Sequence, residues 1–147
     1  LHWQLTAFST RQLDINAWSD LKPFKVGYER GMTIIAEHSE LNLLPANSIE
    51  SAILQASMGR ADVLLNDDFT TRYNLRRMGV ENLIANPTPL APGPAFHLLN
   101  SKHQKLAEQL NEVLLEMTAN DRIRQIKDEV IEDFMRKAEQ EYRQEQP

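Results

Sequence analysis

One stretch limits the possible folds more than any other: Ala61-Asp62-Val63-Leu64-Leu65-Asn66, a compact apolar run set between two helical segments. A run of this length suits a strand buried on both faces of a parallel sheet. Before it, Asn47-Ser48-Ile49-Glu50 has the form of a capped helix start, and Ile49, Ala52, Ile53 and Ala56 recur on one helical face. Gly59 then stands where a left-handed C-cap needs glycine. After it come Asp67-Asp68 at the carboxyl end, Thr70 or Thr71 as a helix start, and Tyr73, Leu75 and Met78 on a helix that Gly79 ends.

The same alternation runs through the chain. Leu1, Trp3, Leu5 and Ala7 alternate with His2, Gln4, Thr6 and Phe8, the period of a strand with one face strongly apolar. Ser9 to Asp14 reads as a loop, and Trp18 to Pro23 as a break before a strand at Phe24 to Tyr28. A helix is expected from near Gly31 to about Glu40, then a strand at Leu41 to Leu44 stopped by Pro45. Val80 to Ala85 reads as another strand. Asn86 to Pro94 carries four prolines and is expected to be a stiff connector without regular structure. A strand at Ala95 to Leu99 leaves it. Ser101 can cap a long helix bearing Leu106, Leu110, Val113, Leu114 and Met117. Asn120 or Asp121 caps a last helix through Phe134, and from Arg136 the chain is expected to be a solvated or fraying end. This order predicts an α/β fold, a mixed, mostly parallel sheet flanked by helices.

In such sheets ligands collect at the carboxyl ends of the strands. Two candidates lie there. Gly27 and Gly31 in Phe24 to Ile34 permit a tight strand-to-helix bend, whose amides with Thr33 can hold a carboxylate or phosphate. The bend is neither a phosphate loop with a Lys-Ser or Lys-Thr pair nor a dinucleotide fingerprint, and an ordinary βα turn is the competing reading. The second is the acidic strand tip, where Asp67 is open to two roles, an amine ligand or a helix N-cap, with Asp68 the expected cap. Together the two edges would hold the charged ends of a zwitterion. Tyr28 and Glu29 line that cleft or sit on its rim. Asp62 reads as structural, Arg60 as solvated, and Arg72, Arg76 and Arg77 as an exposed helix face or a protein contact.

Several classes are disfavoured. The net charge of −5 over 147 residues argues against a nucleic-acid surface. No cysteine is present, so disulfides, thiolate metal sites and a cysteine nucleophile are excluded. The four histidines are scattered without an i, i+4 pair, against a zinc site. No Ser, His and Asp stand at spacings of a triad, no cofactor motif is present, and no catalytic set is visible. No run approaches a membrane span. The first residue is Leu1, and an N-terminal segment is expected to have preceded it.

The chain resembles the C-terminal part of a bacterial extracellular solute-binding protein of the polar-amino-acid type, a type II periplasmic binding protein. Trp18-Ser19-Asp20-Leu21-Lys22 followed by Lys25-Val26-Gly27 is similar to the family's lead into its second lobe. Arg30-Gly31-Met32-Thr33 resembles its glycine–hydroxyl turn. Ser48 to Asp67, with Gly59-Arg60-Ala61-Asp62-Val63, resembles its helix, Gly-Arg and buried-strand segment, and Ala95 to Ile126 its returning strand and terminal helices.

The resemblance implies two lobes joined by crossing strands, with residues 1–17 a crossing strand and linker, 18–91 the second lobe, and 92–147 the returning strand and C-terminal helices of the first lobe. It implies a non-enzymatic, periplasmic protein that captures a small polar solute such as an amino acid for the permease of an ABC importer. A ligand-sensing domain of a receptor or transcription regulator is the alternative, and an enzyme of the same fold a third. It implies ligand donors at Gly31, Met32 and Thr33, and an ammonium acceptor at Asp67, without cofactor or metal. Met32 departs from the usual small hydroxyl residue and removes one donor. A lone second lobe would expose apolar surface, so a homodimer or a first-lobe partner chain is expected.

Overall fold

The structure, a computed structural model, describes residues 2–94 and 98–145. Its centre is a mixed sheet in the order β3-β2-β4-β1-β5, with β6 also pairing β1. Strands β2 (Lys25–Glu29), β3 (Asn42–Ala46) and β4 (Val63–Asp67) run parallel, and β1 (His2–Ser9) lies antiparallel to β4. Strand β5 is the pair Ile84–Ala85 against the end of β1, and β6 (Ala91–Pro94) lies along its beginning.

Alternation divides the buried side chains between two faces. Leu5, Ala7, Val26, Tyr28, Val63 and Leu65 meet Ile15, Leu21, Ile35 and Leu41 on one side. Phe8, Ala46 and Leu64 meet Ile49, Ala52, Ile53 and Ala56 of helix α2 (Ile49–Ser57) on the other. Because both faces are covered, β4 reads as a continuous apolar run. Ser48 caps α2, its hydroxyl oxygen accepting the Ser51 amide at 3.3 Å. Helix α3 (Asp68–Met78) follows β4 and ends at Gly79 in the left-handed conformation, φ 64°.

Several local expectations are corrected. Helix α1 is one turn, Thr33–Ala36, because the chain turns at His38 to place Leu41 in the core. Strand β3 continues through Pro45, and residues 91–94 form β6 despite their prolines. Both are edge strands with one hydrogen-bonded neighbour, so a proline can take a position where the ladder asks for no N–H. The strand expected over Val80 to Ala85 keeps two residues, since Val80 still serves the helix terminus, its amide donating to the Leu75 carbonyl at 2.9 Å. Of the strand expected at Ala95 to Leu99, residues 95–97 lie outside the described residues, and Leu98 and Leu99 have no regular structure.

Helix α4 (Gln104–Ala119) and helix α5 (Arg122–Glu145) complete the chain. Beyond Arg136, α5 is docked rather than solvated. Ala138 is fully buried, Tyr142 lies against Gly79, and Arg76 pairs with Glu139 at 2.7 Å. Phe134 meets the Phe69 and Tyr73 rings edge-on at 5.8 and 5.9 Å.

Candidate functional site

Strands β2 and β4 are neighbours, with Val26 beside Val63 and Gly27 beside Leu64. Being parallel, they leave the sheet at the same edge, about 5 Å apart. Carrying the register three residues on sets Arg30 beside Asp67. The bend at Arg30 to Thr33 and the acidic tip therefore share one edge, at the carboxyl ends of the parallel strands.

The bend is held from below. The Arg30 amide donates to the Ala46 carbonyl at 2.8 Å, and the Met32 amide to the Glu29 carbonyl at 3.3 Å. Gly31 has φ 104°, where an L side chain is strained, and open space surrounds the position a Cβ would take. Thr33 is exposed at the start of α1, and the amides of Thr33 and Ile34 have no carbonyl inside the helix to meet. With one turn of helix, these amides offer hydrogen bonds rather than a sizeable macrodipole.

Asp67 is half-buried and is itself the N-cap of α3. Its Oδ1 accepts the Thr70 amide at 2.8 Å, and its carbonyl accepts the Thr71 hydroxyl at 2.8 Å. The expectation that Asp68 caps is corrected: β4 ends on Asp67 with an extended ψ of 131°, so Asp68 is already the first helical residue. Its carboxylate pairs with Arg72 at 2.8 Å, one turn along. The Asp67 Oδ2 has no partner among the described residues, so one carboxylate oxygen caps and the other is free.

Tyr28 does not line a cleft. It is 8% exposed and shares the core with Val26 and Leu65, because alternation along β2 turns it inward. Glu29 is half-buried, and alternation puts it on the opposite face from Tyr28. Met32 is half-buried against the core beneath the bend.

Trp3, which the sequence shows only as part of the apolar face of the first strand, packs against the core close to this edge. Leu5 pairs with Asp67, so Trp3, two positions earlier, projects past the carboxyl edge on the face of Leu5. Its indole lies against Gly93 of β6, where any side chain would collide. The alternation of Trp3 with Leu5 carried the signal, but only the β1–β4 register reveals the position. Asn66, next to Asp67, is 2% exposed, and its amide nitrogen lacks an acceptor among the described residues.

The edge thus carries backbone donors at the bend and an Asp67 oxygen without a partner among the described residues, while Trp3 and Met32 pack against the core cluster on one face of the sheet. Among the described residues no three His, Asp or Glu side chains gather to hold a metal. No helix described is long and apolar enough to cross a membrane. A cavity of about 610 Å³ lies away from this edge, between α3 and α5.

No family model and no curated protein matches the sequence. Solved structures do match the fold. The holo ArgBP from T. maritima is 19% identical, with 80% of this chain covering 54% of that one at a TM-score of 0.59. A histidine kinase sensor domain with similarity to periplasmic binding proteins is 16% identical, with 87% covering 58% at 0.69. The GluR0 ligand-binding core complexed with L-glutamate is 18% identical, with 93% covering 60% at 0.64. The chain thus spans little more than half the length of the structures it matches. The fold is that of part of a type II periplasmic-binding-protein domain, a mixed α/β sheet flanked by helices.

Proposed function

We propose that this chain is the gripping half of a ligand-binding domain, closing on a small polar solute such as an amino acid. The observation that carries this is the shared exit of β2 and β4, which sets the Gly31 bend beside Asp67. The amides of Thr33 and Ile34, with the Thr33 hydroxyl, receive the ligand carboxylate. The free Asp67 oxygen accepts the ammonium, a charge-assisted hydrogen bond. Trp3 and Met32 flank the aliphatic part, and Glu29 stands at the rim. Structures described as arginine-bound ArgBP and as a core complexed with L-glutamate support a zwitterionic ligand.

The opposing jaw is a first lobe, in further sequence or in a partner chain. Residues 1–17 and 92–147 connect to it, and 18–91 form the second lobe. Ligand contacts with both jaws favour the closed form. The setting is the periplasm, the activity non-enzymatic capture, and the partner an ABC importer permease. Sensing is the second reading, favoured by the likeness to a histidine kinase sensor domain at a TM-score of 0.69. Calorimetry of the full-length protein, with its first lobe in place, against the amino acids tests capture. Saturable heat with at least one zwitterionic solute supports it, and none across the panel overturns it.

A further inference from the structure

Glu29 is an exception among the acids of this protein. Every other half-buried carboxylate among the described residues is met by a partner: Glu50, Asp68, Asp133 and Glu139 lie in ion pairs, and Asp20 and Asp67 accept backbone amides. The Glu29 carboxylate, also half-buried, has neither a hydrogen bond nor an ion pair among the described residues. A carboxylate partly withdrawn from water and left unpaired is costly, so the position calls for a cation.

Its neighbours across the sheet supply none. Glu29 pairs with Ala46 on β3, and carrying the β2–β4 register two residues on sets Asn66 on its other side. Both are uncharged, and the Asn66 amide nitrogen itself lacks an acceptor among the described residues. Asp67 is the next residue of β4, so Glu29 and Asp67 are diagonal neighbours, their backbones about 6 Å apart. Arg30 follows Glu29 and is exposed at the bend.

We infer, on the footing of that capture reading, that the solute carries a second positive charge and that Glu29 is the residue that selects it. The ligand is then a cationic amino acid. Its carboxylate lies at the bend beside Arg30, its α-ammonium on Asp67, and its side-chain cation a few carbons on, at Glu29. The order of charges along the edge, Arg30 against Glu29 and Asp67, is complementary to such a solute. A cation on the opposing lobe is the competing partner for Glu29. It would meet the like charge of Arg30 uncompensated, whereas the solute brings its own carboxylate to Arg30.

Calorimetry of the full-length protein is the test, comparing arginine and lysine with their uncharged counterparts citrulline and norleucine. The native protein should bind the cationic pair about tenfold more tightly or better, the worth of one charge-assisted contact. Glu29→Gln, nearly identical in shape, should abolish that preference. Equal native affinity for charged and uncharged counterparts overturns the inference while capture stands, and so does tightest binding of an acidic amino acid. The native comparison decides this whatever the stability of the variant. A loss in Glu29→Gln shared equally by all four solutes also overturns it, and marks Glu29 as a contact between lobes. An absence of heat with every amino acid overturns capture itself, and this inference with it.

Discussion

Gly27 lies beside Leu64 on adjacent parallel strands. From that pair both strands run to one edge, β2 into the Gly31 bend and β4 into Asp67. In the proposed half-site, the contacts to a ligand carboxylate and ammonium come from these two segments, more than thirty residues apart in sequence.

Gly79 is where the terminal helix meets the α/β unit. Its φ of 64° and the Tyr142 ring over it both exclude a side chain. Gly79→Ala should cost about 1–2 kcal/mol for the left-handed backbone, plus the cost of displacing Tyr142. Denaturant unfolding checks this. In a Tyr142→Ala background the second cost should vanish and the first remain.

Asn86 ties two loops together inside the protein. Its Oδ1 accepts the Ile15 amide at 3.2 Å, and its Nδ2 donates to the carbonyls of Ile15 and Thr88, both at 2.7 Å. Asn86→Ala leaves the Ile15 amide and carbonyl buried without partners, at a cost of roughly 2–4 kcal/mol. A fall in the urea midpoint with unchanged slope would agree. An unchanged midpoint would mean that water replaces the side chain.

Four carboxyls are held below their ordinary range, Asp133 by the Lys137 and Arg136 side chains beside it and three others elsewhere. The Asn16 and Ala17 amides lower Asp20, the His38 side chain lowers Glu40, and Glu50 is lowered by its own amide and then by Ser48 and Arg77. A folded-state value below the unfolded one contributes stability above the unfolded value and loses it as pH falls through the folded one. Stability should hold from neutral pH down to near the ordinary glutamate value of 4.5 and decline below it. Glu50→Gln should shrink that decline, read from thermal midpoints across pH.

The buried strand, the capped helix at Ser48 and the glycine stops were legible because each depends on neighbours in sequence. Pairing was not. The prolines of 91–94 argued against a strand until β1 supplied a ladder on one side only. Tyr28 looked like a rim residue because its inward turn depends on the faces of β1 and β4. The choice of Asp67 over Asp68 as cap turned on which residue ended the strand. The charged tail hid the docking of α5 beyond Arg136, since Ala138 and Tyr142 gain meaning only against α3 and the Gly79 turn that ends it.

Asp67→Asn tests the half-site most directly, because asparagine caps a helix about as well as aspartate while removing the charge. Measured together by calorimetric titration with the bound amino acid and by thermal unfolding, the substitution should leave the midpoint nearly unchanged. It should weaken binding by about tenfold or more, the loss of one charge-assisted hydrogen bond. Equal affinity in Asp67→Asn and the native protein would contradict the account, leaving Asp67 as a helix cap and nothing more.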